Sequence, residues 1–323
     1  MAGVPSVAGY PAGGSGGISK YTPILYAKSL LIKFYLKTVF GEIANRDYEG
    51  EITKSGDKVI VRTRPDVNVF DYEKGMNLRE KRQKAPESPA VELLIDRAKA
   101  YSVAIDDIDK IQNDVDAMDE WAADGSEQLG IQIDRTILNE MWGSASANNI
   151  GSNAGKVSGF FNLGDHTVTD GTGAITITKA NALDYIVYAD SVLTESDVPL
   201  GDRFMVIPEW FKALINTSDL RSALFTGDQS NQNLRNGKMG MISNFTMYGS
   251  NNILGVTQGG YTNYPIIFGQ KSALTFASQL IKNRTIDDPD SFATLLEGLH
   301  VFGFEVVKDA ALGFIWGRPS FGG

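Results

Sequence analysis

The chain has no cysteine among its 323 residues. That absence removes disulfide frameworks, thiolate zinc sites, iron–sulfur clusters and thiol nucleophiles together. Histidine is nearly missing as well: His166 sits in a Gly- and Asp-rich loop and His300 in the run GLHVFGF. No His pair stands at metal-ligand spacing, and both residues read as loop or packing positions. Long apolar runs are lacking too. Residues 24–40 are interrupted by Lys28, Lys33 and Lys37, too short and too charged to span a bilayer. The opening MAGVPSVAGYPAGGSGG has no basic stretch ahead of an apolar one, which predicts cytoplasmic synthesis. The N-x-[ST] triplets at Asn216, Asn244 and Asn283 then carry little weight. Positive charge is also in deficit: 30 Lys plus Arg against 39 Asp plus Glu gives −9. This argues against affinity gained by neutralising nucleic-acid phosphates.

What is present suits a folded, loop-rich α+β chain. With 42% hydrophobic and 21% charged residues the length suffices for roughly two compact domains. Thirty-four Gly without a collagen period point to many turns. Residues 1–20 are mostly Gly, Pro, Ala and Ser and predict an arm with little to bury. Residues 19–41 place Leu25, Ile32, Leu36 and Val39 at nearly helical spacing. Residues 51–64 and 90–105 read as a strand pair. Between them a tongue of about two dozen charged, Gly and Pro residues, longer than ordinary connections, predicts an extended hairpin. Ile105, Ile108, Ile111, Val115, Met118, Ala122, Leu129, Ile133, Ile137 and Met141 step by three and four and predict one long helix over 105–141, with Gly125 and Gly130 as points of bending. A helix over 179–195 is expected with Thr178 as its N-cap. A buried strand 204–207 leads through Pro208 into another helix. A polar loop 226–240 and a strand 239–248 follow, then strand-like runs at 264–268, 273–281, 299–307 and 312–316.

The search for chemistry returns no catalytic, cofactor or metal site. Asp106, Asp107, Asp109, Asp114, Asp116, Asp119 and Glu120 lack the calcium-loop spacing and its central Gly. They read as the solvated face and first turn of the long helix. The Gly-rich stretches at 13–17 and 171–173 lack a GK[ST] ending, and no G-x-S-x-G elbow is present.

Five stretches, in order, resemble the major capsid (coat) proteins of tailed bacteriophages, whose shared fold is called Hong Kong 97-like, with the short-tailed, podovirus-type phages nearest. SGDKVIVRTRPDVNVFDYEKGMNL is similar to that family's extended hairpin and DDIDKIQNDVDAMDEWAADGSEQLGIQIDRTILNEM to its spine helix. VPLGDRFMVIPEWFKALI, GKMGMISNFTMYGSNNIL and DSFATLLEGLHVFGFEVVKDAAL follow. The resemblance implies an N-terminal arm at 1–48, an extended loop at 49–104, and a peripheral domain with the spine helix at 105–179. An axial domain at 180–294 and C-terminal strands at 295–323 returning to the peripheral domain complete it. It implies homo-oligomeric pentamers and hexamers closing an icosahedral shell around double-stranded DNA, without enzymatic activity or cofactor. A separate scaffolding protein, a portal protein, a decoration protein and loose, non-specific contact with the packaged DNA are implied as partners. The location implied is the virion, after assembly in the bacterial host cytoplasm.

Within that frame the tongue is the candidate contact between subunits. Asp71, Glu73 and Glu80 alternate there with Lys74, Arg79, Lys81, Arg82 and Lys84, a pattern suited to setting register against a neighbour. The loop 226–240 is expected near the centre of a ring, and the net negative charge predicts an inner face that does not hold DNA tightly. Two other classes stay open on sequence alone: an encapsulin-like nanocompartment shell, and a carboxylate-dependent enzyme with two acids converging in a deep pocket.

Overall fold

Five consecutive buried residues, Arg203–Ile207, form the strand from which the larger sheet of the computed structural model is built. A run of this length with no exposed residue, four of the five apolar, marks a strand covered on both faces. The structure describes residues 38–47, 58–62, 67, 69–81, 90–106, 117–218 and 241–320. Among them the elements run α1 (Phe40–Ile43), β1 (Lys58–Arg62), α2 (Leu78–Lys81), β2 (Ala90–Leu94), β3 (Arg97–Asp106), α3 (Ala117–Glu140), β4 (Ile175–Ile177), α4 (Ala182–Glu195), β5 (Arg203–Ile207), α5 (Glu209–Thr217), β6 (Met241–Ile242), β7 (Phe245–Gly249), β8 (Val256–Gln258), β9 (Tyr261–Gln270), β10 (Leu274–Asp287), β11 (Ala293–Val306) and β12 (Leu312–Pro319).

The larger sheet has the order β4-β12-β9-β5-β7-β6, with β8 on β9. The pairs β5–β7 and β12–β4 are parallel. Ile186, Ala189, Val192 and Leu193 of α4 and Phe211, Leu214 and Ile215 of α5 lie in the main core with β5. A buried Arg203–Asp190 ion pair joins α4 to β5. Arg203 also donates to the carbonyls of Pro199 and Asp190 and to Thr194 Oγ1, so its charge and its donors are met inside the protein. Asp190 Oδ2 in turn accepts from Ser243 Oγ at 3.2 Å and Asn244 Nδ2 at 2.9 Å. Those two residues form the β6–β7 turn with φ 48° and 65°, the left-handed pair that a two-residue hairpin requires. The strand expected over 239–248 is therefore a hairpin, because its midpoint turns.

The smaller sheet, β10-β11-β3, is antiparallel. β3 alternates half-buried and exposed residues as far as Asp106, which pairs with Ala293. Ile105 and Asp106 thus belong to a strand, and the expected helix start at 105 is corrected; α3 is described from Ala117, with 107–116 outside the described residues. The three-residue steps counted from Ile105 start inside a strand, where helical periodicity has no meaning. α3 runs unbroken through both of its glycines, Gly125 and Gly130. A Cβ on Gly125 would lie 2.7 Å from the Tyr101 ring, and one on Gly298 of β11 would lie 2.2 Å from it. The two glycines make room for Tyr101 between helix and sheet.

A further expectation is corrected. The N-cap of α4 is Asn181: its side chain accepts from Thr178 N at 2.7 Å and donates to Thr176 O at 3.1 Å, while Thr178 contributes its carbonyl to Ala182 N. The C-terminal strands do not travel together. β11 pairs with β3, but β12 pairs with β9 and β4 in the larger sheet. Leu312 to Trp316 are all buried, and only an interior position between β4 and β9 covers such a run on both faces.

Candidate assembly interface

β1 and β2 pair antiparallel from Lys58↔Leu94 to Arg62↔Ala90. At the root of this hairpin Leu93 and Ile95 are buried against Ala277 of β10, with half-buried Val59 and Val301 around them. Among its described residues, the tongue beyond the root buries almost nothing on its own chain. Val67, Val69, Phe70, Tyr72 and Leu78 are exposed, Val69 to 90%, and of residues 69–79 only Met76 is half-buried. Its conformation is nevertheless defined locally. Gly75 takes φ 94°, Met76 N donates to Glu73 O at 3.0 Å, and Asn77 Oδ1 accepts from Arg79 N at 3.1 Å at the start of α2. Asp71, Glu73, Lys74, Arg79 and Lys81 are all exposed. Glu80 lies in α2 without a described side chain, and Arg82 and Lys84 lie outside the described residues. Covering a fully exposed large apolar side chain contributes about 1.5–3 kcal/mol. The described part of the tongue exposes five large apolar side chains, wholly or in part, beside charges of both signs, and can associate with another surface.

Sequence reading missed two other outward apolar features. In the loop 154–161, Glu195 Oε2 accepts from Val157 N, Ser158 N and Ser158 Oγ at 3.0–3.1 Å. The Ser158 backbone N–H, ahead of the other donors, holds the Glu195 carboxyl below its ordinary range. The loop so fixed leaves Val157 exposed and Phe160 83% exposed. Rings run from Phe160 to Phe161, Tyr188 and Tyr185 at centroid separations of 6.3, 5.4 and 5.8 Å. At the β10–β11 turn Phe292 is 87% exposed, although Asp288 orders that turn by accepting from Asp290 N and Ser291 Oγ.

Asp134 was also missed. Its side chain is fully buried; Oδ1 accepts from Val39 N at 2.9 Å and Phe40 N at 2.8 Å, and Oδ2 from Asn252 Nδ2 at 2.6 Å. Burial raises its pKa against the lowering effect of those bonds. The signal was present: Asp134 lies on the stripe through Ile131, Ile137, Leu138 and Met141, where the i, i+3, i+4 rule predicts an apolar residue.

The two histidines serve packing. His166 lies 5.2 Å from the Phe314 ring and 5.8 Å from Trp142, and His300 Nε2 is 2.8 Å from Ser278 Oγ. Among the described residues no group of three or more His, Asp or Glu is placed to hold a metal ion. No described helix is long and apolar enough to cross a membrane. The loop 226–240 lies outside the described residues.

Comparison with protein-family models and with curated proteins finds no match. Solved structures do match over nearly the whole chain. A chain of Mycobacterium phage Che8 has TM-score 0.72 and 25% identity over 91% of this chain and 96% of its own. The capsid of cyanophage P-SCSP1u gives 0.71 and 13% over 99% and 100%, and the cyanophage Pam1 capsid 0.66 and 10% over 92% and 97%. The fold is that of a phage capsid subunit. It is the Hong Kong 97-like α+β architecture. The matches do not single out the short-tailed phages.

Proposed function

We propose that this chain is a major capsid protein whose copies close, as pentamers and hexamers, into an icosahedral shell around double-stranded DNA. The observation that carries this reading is end-to-end agreement with capsid subunits, 99% of this chain on 100% of the cyanophage P-SCSP1u chain. The role is structural rather than catalytic. Heterologous contacts, one surface of a subunit against a different surface of the next, generate the rings.

The tongue at 71–84 lies over a neighbouring subunit in this reading. Its exposed apolar residues supply the area, and Asp71, Glu73, Lys74, Arg79, Glu80, Lys81, Arg82 and Lys84 set the register. The division into arm (1–48), extended loop (49–104), peripheral domain (105–179) and axial domain (180–294) is part of the proposal. So are a separate scaffolding protein, a portal protein, a decoration protein, loose contact with DNA, and assembly in the bacterial cytoplasm before residence in the virion. Electron microscopy of the purified chain, with and without its coexpressed scaffold, tests it: hollow icosahedral particles are expected. A monodisperse monomer under every condition overturns it.

A further inference from the structure

We propose that Asp134 is a clip that makes the seating of the N-terminal segment and the conformation of the 250–254 loop one event. The two segments are more than 200 residues apart in sequence, and the same buried carboxylate binds both.

On one side, Oδ1 takes the Val39 and Phe40 N–H groups, the donors that open α1. The chain just beyond is stitched to the smaller sheet: Asn45 N donates to Leu274 O at 2.8 Å and Phe276 N to Asn45 O at 2.9 Å. Phe40 packs on Phe276 at 5.1 Å. On the other side, Oδ2 takes Asn252 Nδ2. Asn252 is itself fully buried; its N–H donates to Ser250 Oγ, and its carbonyl accepts from Asn139 Nδ2 of α3. Asn139 Oδ1 then accepts from Leu254 N at 2.9 Å. Ser250 N donates to Ile207 O, at the end of β5. The network thus runs from the entry of the arm, through one turn of the spine helix, to the centre of the larger sheet.

The chemistry explains why a carboxylate stands where the stripe calls for an apolar residue. Three buried donors converge from two directions, and a carboxylate alone offers two oxygens free of any proton to meet them. If either segment leaves, a charge stays buried with fewer partners, which the low dielectric penalises. Each segment therefore stabilises the other through the shared carboxylate, the condition for coupling two sites through one element. Whatever holds or pulls the arm at residues before Thr38 is felt at the loop leading into β8. This holds whether or not the chain builds shells.

Amide hydrogen exchange on the full-length, unassembled chain tests the clip. Asn252→Ala removes one bond, on the loop side only, and leaves the Asp134 backbone contacts in place. It is expected to speed exchange at Val39 and Phe40 by about tenfold or more. Asp134→Ala is expected to speed exchange at Val39, Phe40, Asn252 and Leu254 together, with the double variant little worse than Asp134→Ala alone. Asp134→Asn, which keeps an acceptor for the N–H pair, is expected to fall between wild type and Asp134→Ala. If Asn252→Ala leaves Val39 and Phe40 at wild-type rates, Asp134 is only the cap of α1 and the coupling is refuted. That outcome leaves the capsid reading untouched, since particle formation is read separately.

Discussion

A carboxylate buried with three donors titrates differently from one in water. Burial raises the Asp134 pKa from its ordinary 3.8, and the Val39, Asn252 and Phe40 bonds only partly oppose it. The folded chain then holds that proton more tightly than the unfolded chain does. The stability contributed by protonated Asp134 is fully present below about pH 3.8 and is lost as pH rises through the folded value. Relative to Asp134→Asn, which does not titrate, wild type should therefore lose ground as pH rises across that window, in unfolding free energies from urea titration. A flat difference would refute the sign. Arg203 makes the opposite case, a fully buried cation with each of its three nitrogens hydrogen-bonded. Removing it strands Asp190, so Arg203→Ala should cost about 3–5 kcal/mol, visible as a lower urea midpoint. Arg203 did not stand out in the sequence, since an Arg opening a strand looks the same whether buried or solvated; Asp134 did interrupt the apolar stripe of α3, but the sequence could not say which donors would meet it. Burial is a property of what arrives from elsewhere in the chain.

At the scale of elements, α3 shows what periodicity conveys and what it misses. The spacing of Ile133, Ile137 and Met141 identified the face that the fold buries. Gly125 looked like a weak point, yet the helix is continuous from Ala117 to Glu140. Gly125→Ala should improve intrinsic helix propensity by about 1 kcal/mol. It should still destabilise overall, because its methyl group meets the Tyr101 ring, and overpacking costs about 1–3 kcal/mol. Thermal unfolding of Gly125→Ala, alone and combined with Tyr101→Ala, checks this: the second change should recover part of the loss caused by the first. The tongue is the reverse case. Its composition marked it as extended from the outset, and its residues 69–79 are exposed but for Met76. Deleting 71–84 should leave the melting temperature of the unassembled subunit nearly unchanged, because so little is buried there, and should abolish regular particles in electron micrographs. Particles of normal shape and stability from that variant would end the tongue's proposed role.

For the whole molecule, the exposed residues say most about assembly. Val69, Phe160 and Phe292 lie in three different parts of the chain and are all exposed, the latter two on loops ordered by Glu195 and Asp288. Substituting Phe160 or Phe292 by Ser should be close to neutral for the stability of the lone subunit, within about 0.5 kcal/mol as for surface changes generally. If these surfaces are contacts between copies, the same substitutions should lower the yield of particles, counted after sedimentation. By itself the sequence determined the α+β class, the strand runs, the amphipathic stripe of α3, the outlying tongue and the lack of thiol chemistry. Each of these depends on composition or on the order of neighbouring residues, and so on local propensity and hydrophobic period. The tertiary structure alone decided that β12 leaves β11 for the larger sheet, that Tyr101 fits between two distant glycines, and that Asp134 joins residues 39–40 to Asn252. Those outcomes come from segments far apart along the chain meeting in space, where close packing and the need to pair every buried polar group select one arrangement.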